Sequence, residues 1–223
     1  FINGSIGALS AVETAVIVIA ATSGIQVNTQ KMWDIAGDAG LARMVVITKM
    51  DGDNIDFPAL LESIQDAFGE ECLPLTLPVG HGSEFKGVVD IFNLPEEIPE
   101  DVIGDVDGCR EKFLEGIVCV CDETMEKYLD GQEIEVEKLH GCFTTAVASG
   151  SVVPILCCDN KKGLGIEDIA AVISQYTPSP ENGLIRKCVG AEGDEAAAEE
   201  KDVEVSKSAP FSAQVFKSIT DPF

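Results

Sequence analysis

Two apolar runs of strand length, separated by a helix-length segment, restrict the fold more than anything else in the chain. The first, residues 13–21 (Glu-Thr-Ala-Val-Ile-Val-Ile-Ala-Ala), has no polar side chain from Ala15 to Ala21. A strand with one wet face alternates, so an unbroken run reads as a parallel strand covered on both faces. Residues 23–30 (Ser-Gly-Ile-Gln-Val-Asn-Thr-Gln) follow, where Asn28 or Thr29 supplies an N-cap for a helix to about Ala39 and Gly40 supplies a stop. The second run, Met44-Val45-Val46-Ile47, comes directly afterwards. Strand, helix and strand at this spacing form a crossover unit, whose ligands sit at the carboxyl ends of its strands. The expected fold class is α/β, a mostly parallel sheet with flanking helices.

The second run ends in Thr48-Lys49-Met50-Asp51, which places a Lys-x-Asp loop at such a carboxyl end. A carboxylate there can accept two parallel hydrogen bonds from the ring N–H and the exocyclic amino group of guanine, a donor pair that adenine lacks. Asp51 is therefore the candidate base selector. Lys49 would lay its methylene stem along base and ribose with its ammonium near polar groups, a wall more than a catalyst. Four residues recur by chance in many proteins; their position after a core strand is what gives them weight.

Several longer stretches carry a resemblance to a known family. Phe-Ile-Asn-Gly-Ser-Ile-Gly-Ala-Leu at the start, the two apolar runs with their loops, and Asp56-Phe57-Pro58-Ala59-Leu60-Leu61 look like the GTPase domain of bacterial translation elongation factor G. Phe85-Lys86-Gly87-Val88-Val89-Asp90 resembles the opening of the subdomain inserted in that domain, and Met125-Glu126-Lys127-Tyr128-Leu129-Asp130-Gly131 resembles its helical part. Val153-Pro154-Ile155-Leu156-Cys157 resembles the strand that re-enters the core, and Pro210-Phe211-Ser212-Ala213-Gln214-Val215-Phe216-Lys217 the first strand of a following β-barrel domain. The resemblance implies a P-loop NTPase-type GTPase core, partial, over residues 1–78 and 151–180, an inserted α+β subdomain over 79–150, an acidic linker over 181–208 and the start of a barrel domain over 209–223.

It also implies GTP or GDP as ligand, Mg²⁺ as cofactor, and hydrolysis by phosphoryl transfer to water. No G-x-x-x-x-G-K-[ST] occurs in the sequence, so the phosphate loop and the magnesium ligands are expected upstream of Phe1. On this reading the chain is a fragment, inactive by itself, holding the base-reading half of a nucleotide site: Thr48, Lys49 and Asp51 with Asp159, Asn160 and Lys161. Two of these depart from the family pattern. Thr48 stands where the family has Asn, a hydroxyl for an amide that ties the base loop to the phosphate loop, at a cost of about 1 kcal/mol. Asp159-Asn160-Lys161 stands where a Ser-Ala pair presents backbone N–H to the guanine carbonyl oxygen, and an inward-pointing Asp159 carboxylate would repel that oxygen. Gly163-Leu164-Gly165 then opens a closing helix expected to reach Tyr176.

Within the insert, apolar spacing predicts helices over residues 108–129 and 136–148 and a strand over 85–92. The formal net charge of −24, from 15 Lys and Arg against 39 Asp and Glu, excludes a general electrostatic nucleic-acid patch. Acidic residues concentrate at 96–126 and at 192–202, the latter reading as a flexible linker. The resemblance implies the ribosome as partner, through its stalk protein and ribosomal RNA, an acidic helix at 109–122 as a docking candidate, and a monomeric state. The eight cysteines contain no C-x-x-C pair, and Cys119 and Cys121 point apart on a predicted helix, so they read as reduced, buried hydrophobes in a cytoplasmic chain with neither signal peptide nor membrane span. His81, in Gly80-His81-Gly82, reads as a turn residue, and no metal site is expected.

Three functions fit. The first is an elongation factor G-like GTPase that promotes ribosomal translocation or recycling; the second a degenerate relative that binds the ribosome without tight GTP binding; the third a ribosomal protection protein.

Overall fold

The computed structural model describes residues 2–189, 200–206 and 208–218. Its centre is a four-stranded sheet built from β1 (Thr14–Ala20), β2 (Ala42–Thr48), β3 (Cys72–Pro74) and β6 (Val153–Cys157) in the order β1-β2-β6-β3, with every pair parallel. Thr14 pairs with Ala42 and Ala20 with Thr48, so β1 and β2 end level, and Ile47 pairs with Cys157 one residue before β2 ends. The carboxyl ends of the two middle strands therefore lie side by side.

A short helix, α1 (Ile2–Leu9), leads into β1, and α2 (Val27–Asp38) joins β1 to β2. Neither Asn28 nor Thr29 caps α2: the helix starts one residue before Asn28, Gln26 occupies the N-cap with no side-chain cap bond, and its side-chain amide donates to the Ser23 carbonyl at 2.8 Å. Gly40 does act as a stop, at φ +69. Trp33 of α2 stacks on Phe68 of α3 (Phe57–Phe68) at 4.3 Å between centroids, and the Arg43 guanidinium sits 3.9 Å from the Trp33 ring. α3 begins where Asp56 accepts from the Ala59 N–H at 3.1 Å and ends at Gly69.

The expectation that β1 is covered on both faces fails on one of them. Ala15, Ile17 and Ile19 are buried, whereas Val16 and Val18 are 40% and 56% exposed. β1 is the edge of the sheet, and its second face is only partly covered at Val16 and Val18. β2 and β6 are the core strands, with Met44, Val45, Ile47, Ile155, Leu156 and Cys157 all at 0% exposure. Each such aliphatic side chain contributes roughly 1.5–3 kcal/mol by leaving water. Pro154 is tolerated in β6 because the ladder to β2 begins only at Ile155, so its missing N–H falls before that pairing starts.

An antiparallel pair, β4 (Thr76–Val79) and β5 (Gly87–Asp90), follows β3 around a short 3-10 turn, Gly82–Glu84. The strand expected over 85–92 is shorter because Phe85 and Lys86 complete the turn, and the Asp90 carboxylate accepts the Phe92 and Asn93 N–H groups at 2.8 and 3.1 Å. His81 is an exposed turn residue. The single helix expected over 108–129 is two, α4 (Val106–Val118) and α5 (Asp122–Leu129). Cys121 is extended at φ −140, and Asp122 and Glu123 supply a fresh acidic first turn, which favours restarting a helix. Cys119 and Cys121 are accordingly caps of different helices.

α6 (Val136–Ser149) ends in the left-handed Gly150, and α7 (Ile166–Tyr176) closes the core. Phe143 of α6 stacks on Tyr176 of α7 at 4.1 Å, and Phe92 and Phe113 pack edge-on against Phe143. One apolar cluster thus runs from the sheet into the inserted helices.

Cys72, Cys142, Cys157 and Cys158 are buried free thiols, and burial pushes Cys72 up to about 12. Cys109 and Cys121 are half-buried and Cys119 and Cys188 exposed, so the buried-hydrophobe reading holds for four of the eight. In the expected linker, Lys187–Cys188 pairs antiparallel with Lys201–Asp202. The flexible stretch expected at 192–202 lies outside the described residues up to 199. Residues 210–217 form no strand, since among the described residues no strand lies alongside to complete a ladder. No described helix is long and apolar enough to cross a membrane.

Candidate functional site

The level carboxyl ends of β2 and β6 each continue into a loop, and backbone bonds zip the two loops together. The Cys158 N–H donates to the Ile47 carbonyl at 2.8 Å, and the Met50 N–H donates to the Cys158 carbonyl at 3.3 Å. On the other side, the Ala21 N–H donates to the Thr48 carbonyl at 2.8 Å. Met50 is buried, at 1% exposure, and anchors its loop from below. Lys49 takes the left-handed conformation at φ +60, which turns the chain so that Met50 points in while the Lys49 side chain stays outside. The Gly52 N–H closes that turn on the Lys49 carbonyl at 3.0 Å.

The six residues singled out by sequence are brought together here, in unequal roles. The Thr48 hydroxyl lies 3.4 Å from the Ile19 carbonyl, so it is tied to β1. Asp51 is the acidic residue of the β2 loop that is paired with the β6 loop, its side chain 14% exposed, and its Oδ2 accepts from Lys161 Nζ at 2.7 Å. That hydrogen bond holds the Asp51 carboxyl below its ordinary value, and by the same contact raises the Lys161 ammonium.

Asp159 is fully buried. Its backbone makes a reciprocal bridge with Leu164, N–H to carbonyl at 2.9 Å and carbonyl to N–H at 3.1 Å. Its Oδ1 accepts from the Lys161 N–H at 2.9 Å, an Asx turn that fixes the loop crest. At 0% exposure the Asp159 carboxylate is packed inside the protein and does not stand at the surface of the loop. Asp159 Oδ2 has no hydrogen-bond partner among the described residues. The Asp159 N–H is already committed to Leu164, whereas the N–H of Asn160, exposed at the crest, makes no backbone hydrogen bond among the described residues.

Sequence reasoning missed the supports of this site. The Thr76 hydroxyl accepts from the Cys157 N–H at 2.9 Å where β3 has ended, and nothing in the sequence marks that contact. Lys162 Nζ donates to the Ser83 carbonyl at 3.2 Å, bringing the turn of the insert against the loop. Gly165 did carry a signal: it sits at φ +78, and a Cβ there would lie 2.4 Å from the Cys157 carbonyl oxygen, so glycine is required for the loop to fold back on its strand. A shallow apolar hollow of about 190 Å³, walled by Phe57, Leu61, Leu77 and Cys109, includes none of the candidate residues. Among the described residues no group of His, Cys, Asp and Glu could hold a metal ion.

Comparison with known proteins places this geometry. Residues 1–179 match the elongation factor Tu GTP-binding domain family. The chain belongs to that family. Within it, the chain is 31% identical to an elongation factor G of Fervidobacterium nodosum over 96% of its own length and 32% of that protein's. A crystal structure of a protein from Thermus thermophilus superposes with a TM-score of 0.70 at 32% identity, over 81% of this chain and 29% of that one. The chain thus spans about a third of the length of the relatives it matches. As a member of the elongation factor Tu GTP-binding domain family, it has the mostly parallel sheet and flanking helices described above.

Proposed function

We propose that these residues form the guanine-reading part of an elongation factor G-like GTPase that uses GTP hydrolysis to promote ribosomal translocation. The observation that carries this reading is the Asp51 carboxylate, held at the carboxyl end of β2 directly beside the loop that leaves β6. An ionised carboxylate accepts from N1–H and the 2-amino group of guanine together, and adenine offers no such pair at those positions. The exposed Lys49 stem walls one face of the base, and the Asn160 backbone N–H, which no backbone carbonyl takes up among the described residues, is the loop donor for the guanine carbonyl oxygen. Thr48 acts behind the pocket through its bond to β1. The donors and acceptor present fit a guanine base.

Mg²⁺ and the groups that position the attacking water are expected outside these residues, and the chain alone is expected to hydrolyse GTP no faster than a buffer blank. Family membership and the likeness to an elongation factor G support the ribosome as partner and a cytoplasmic location. A reading as a degenerate relative draws on one observation, the ion pair that already occupies Asp51. Calorimetric titration of the protein carrying these residues with GDP and with ADP separates the two. GDP binding that ADP does not reproduce and that Asp51→Asn weakens supports the proposal. Equal binding of both, or of neither by folded protein, refutes it.

A further inference from the structure

To read guanine, the Asp51 carboxylate must offer both oxygens in one plane to two donors. In the structure one of them is taken: Lys161 Nζ lies 2.7 Å from Asp51 Oδ2. The two partners are placed unequally. The Asp51 side chain is 14% exposed and that of Lys161 is 74% exposed, so the carboxylate is largely enclosed while the side chain that pairs with it stands mostly in solvent.

The root of Lys161 is fixed while its tip is not. Its N–H is locked in the Asx turn of Asp159, and the loop beneath is closed by the Asp159–Leu164 bridge. The side chain above makes no other hydrogen bond among the described residues, and the neighbouring ammonium, Lys162, is turned to the Ser83 carbonyl. A rigid root within reach of Asp51 and a solvated four-carbon stem suit a group that returns to one place and leaves it readily.

We propose that Lys161 sets nucleotide affinity at this site by holding Asp51 in the empty protein, so that guanine binds by displacing the ammonium into water. This rests on the guanine reading given above. The exchange is non-covalent: one ammonium hydrogen bond to Oδ2 breaks, the ammonium is rehydrated, and two guanine donors close on Oδ1 and Oδ2. An ion pair whose ammonium stands largely in solvent competes only weakly, because water and salt screen that partner.

Lys161→Met removes the charge and keeps the stem. In the protein carrying these residues it is expected to tighten GDP by about two- to five-fold and to speed its association, with the advantage shrinking at high salt. Weaker or unchanged GDP binding in Lys161→Met overturns the proposal. A second readout does not involve nucleotide: in the empty protein, carboxyl carbon NMR of Asp51 should show its titration moving up, toward the ordinary aspartate range, in Lys161→Met. An unmoved titration means the ion pair does not form and also overturns it. If that titration moves but the wild type binds no GDP, the guanine reading fails and the displacement proposal with it, while the ion pair itself stands.

Discussion

Thr76→Val tests the packing that holds the site most sharply, because it changes one hydroxyl for a methyl of nearly the same size. Thr76 is 1% exposed and Cys157 0% exposed, and the Thr76 hydroxyl is the acceptor for the Cys157 N–H at 2.9 Å. β3 ends at Pro74, so its ladder with β6 stops at Ile155 and the Cys157 N–H turns to the Thr76 hydroxyl instead. Valine keeps the volume and leaves a buried N–H without an acceptor, which costs about 1–3 kcal/mol. For a chain of this size each kcal/mol lowers Tm by roughly 2–4 °C. Chemical unfolding measures the loss, and hydrogen exchange locates it: the Cys157 amide should lose protection in Thr76→Val and keep it in Thr76→Ser. A Thr76→Val protein within about 0.5 kcal/mol of wild type, with the Cys157 amide still protected, would refute the reasoning.

Gly165→Ala places a Cβ 2.4 Å from a backbone oxygen at φ +78, and left-handed strain alone costs about 1–3 kcal/mol. It should lower stability and weaken GDP binding together, because it pushes the Asp159–Leu164 loop off its strand; a variant unchanged in both would contradict the account. Glu123 accepts from Lys138 at 2.5 Å and Lys127 at 3.0 Å, and those bonds, Lys138 first, hold its carboxyl down at about 2 from an ordinary 4.5. A depressed folded value means its contribution is full above pH 4.5 and is lost as pH falls toward 2. Glu123→Gln should therefore flatten the acid limb of a stability-against-pH curve, and a limb of unchanged slope would count against the tether between α5 and α6.

Much of this architecture is legible in the sequence where one physical signal acts alone. β6 is visible at Val153–Cys157 through its resemblance to the family's core strand, and its apolar residues are all buried between two strands. α7 is visible because Gly163 and Gly165 announce its start and Pro178 its end. The break between α4 and α5 was hidden because Cys119-Val120-Cys121 contains neither Gly nor Pro, and only the extended Cys121 separates the helices. The exposed face of β1 was hidden because Val16 and Val18 are apolar whether or not anything covers them.

The site divides in the same way. Asp51 could be found from its motif at a strand end. Its partner Lys161 lies 110 residues away and reaches it only because β2 and β6 are neighbours, a fact of topology. The inward turn of Asp159 depends on the Asx turn and the Leu164 bridge, and residue type alone leaves the direction of that carboxylate open.

The central claim, that Asp51 reads guanine through two accepted hydrogen bonds, is tested most directly by changing both partners at once. Asparagine at this position keeps one acceptor and replaces the other with a donor, which mismatches the 2-amino group of guanine and matches the 2-oxo group of xanthine. The measurement is the ratio of GDP to xanthosine diphosphate affinity in wild type and in Asp51→Asn. The account predicts a ratio that favours GDP in the wild type and inverts in the variant. A ratio that is the same in both proteins would contradict it.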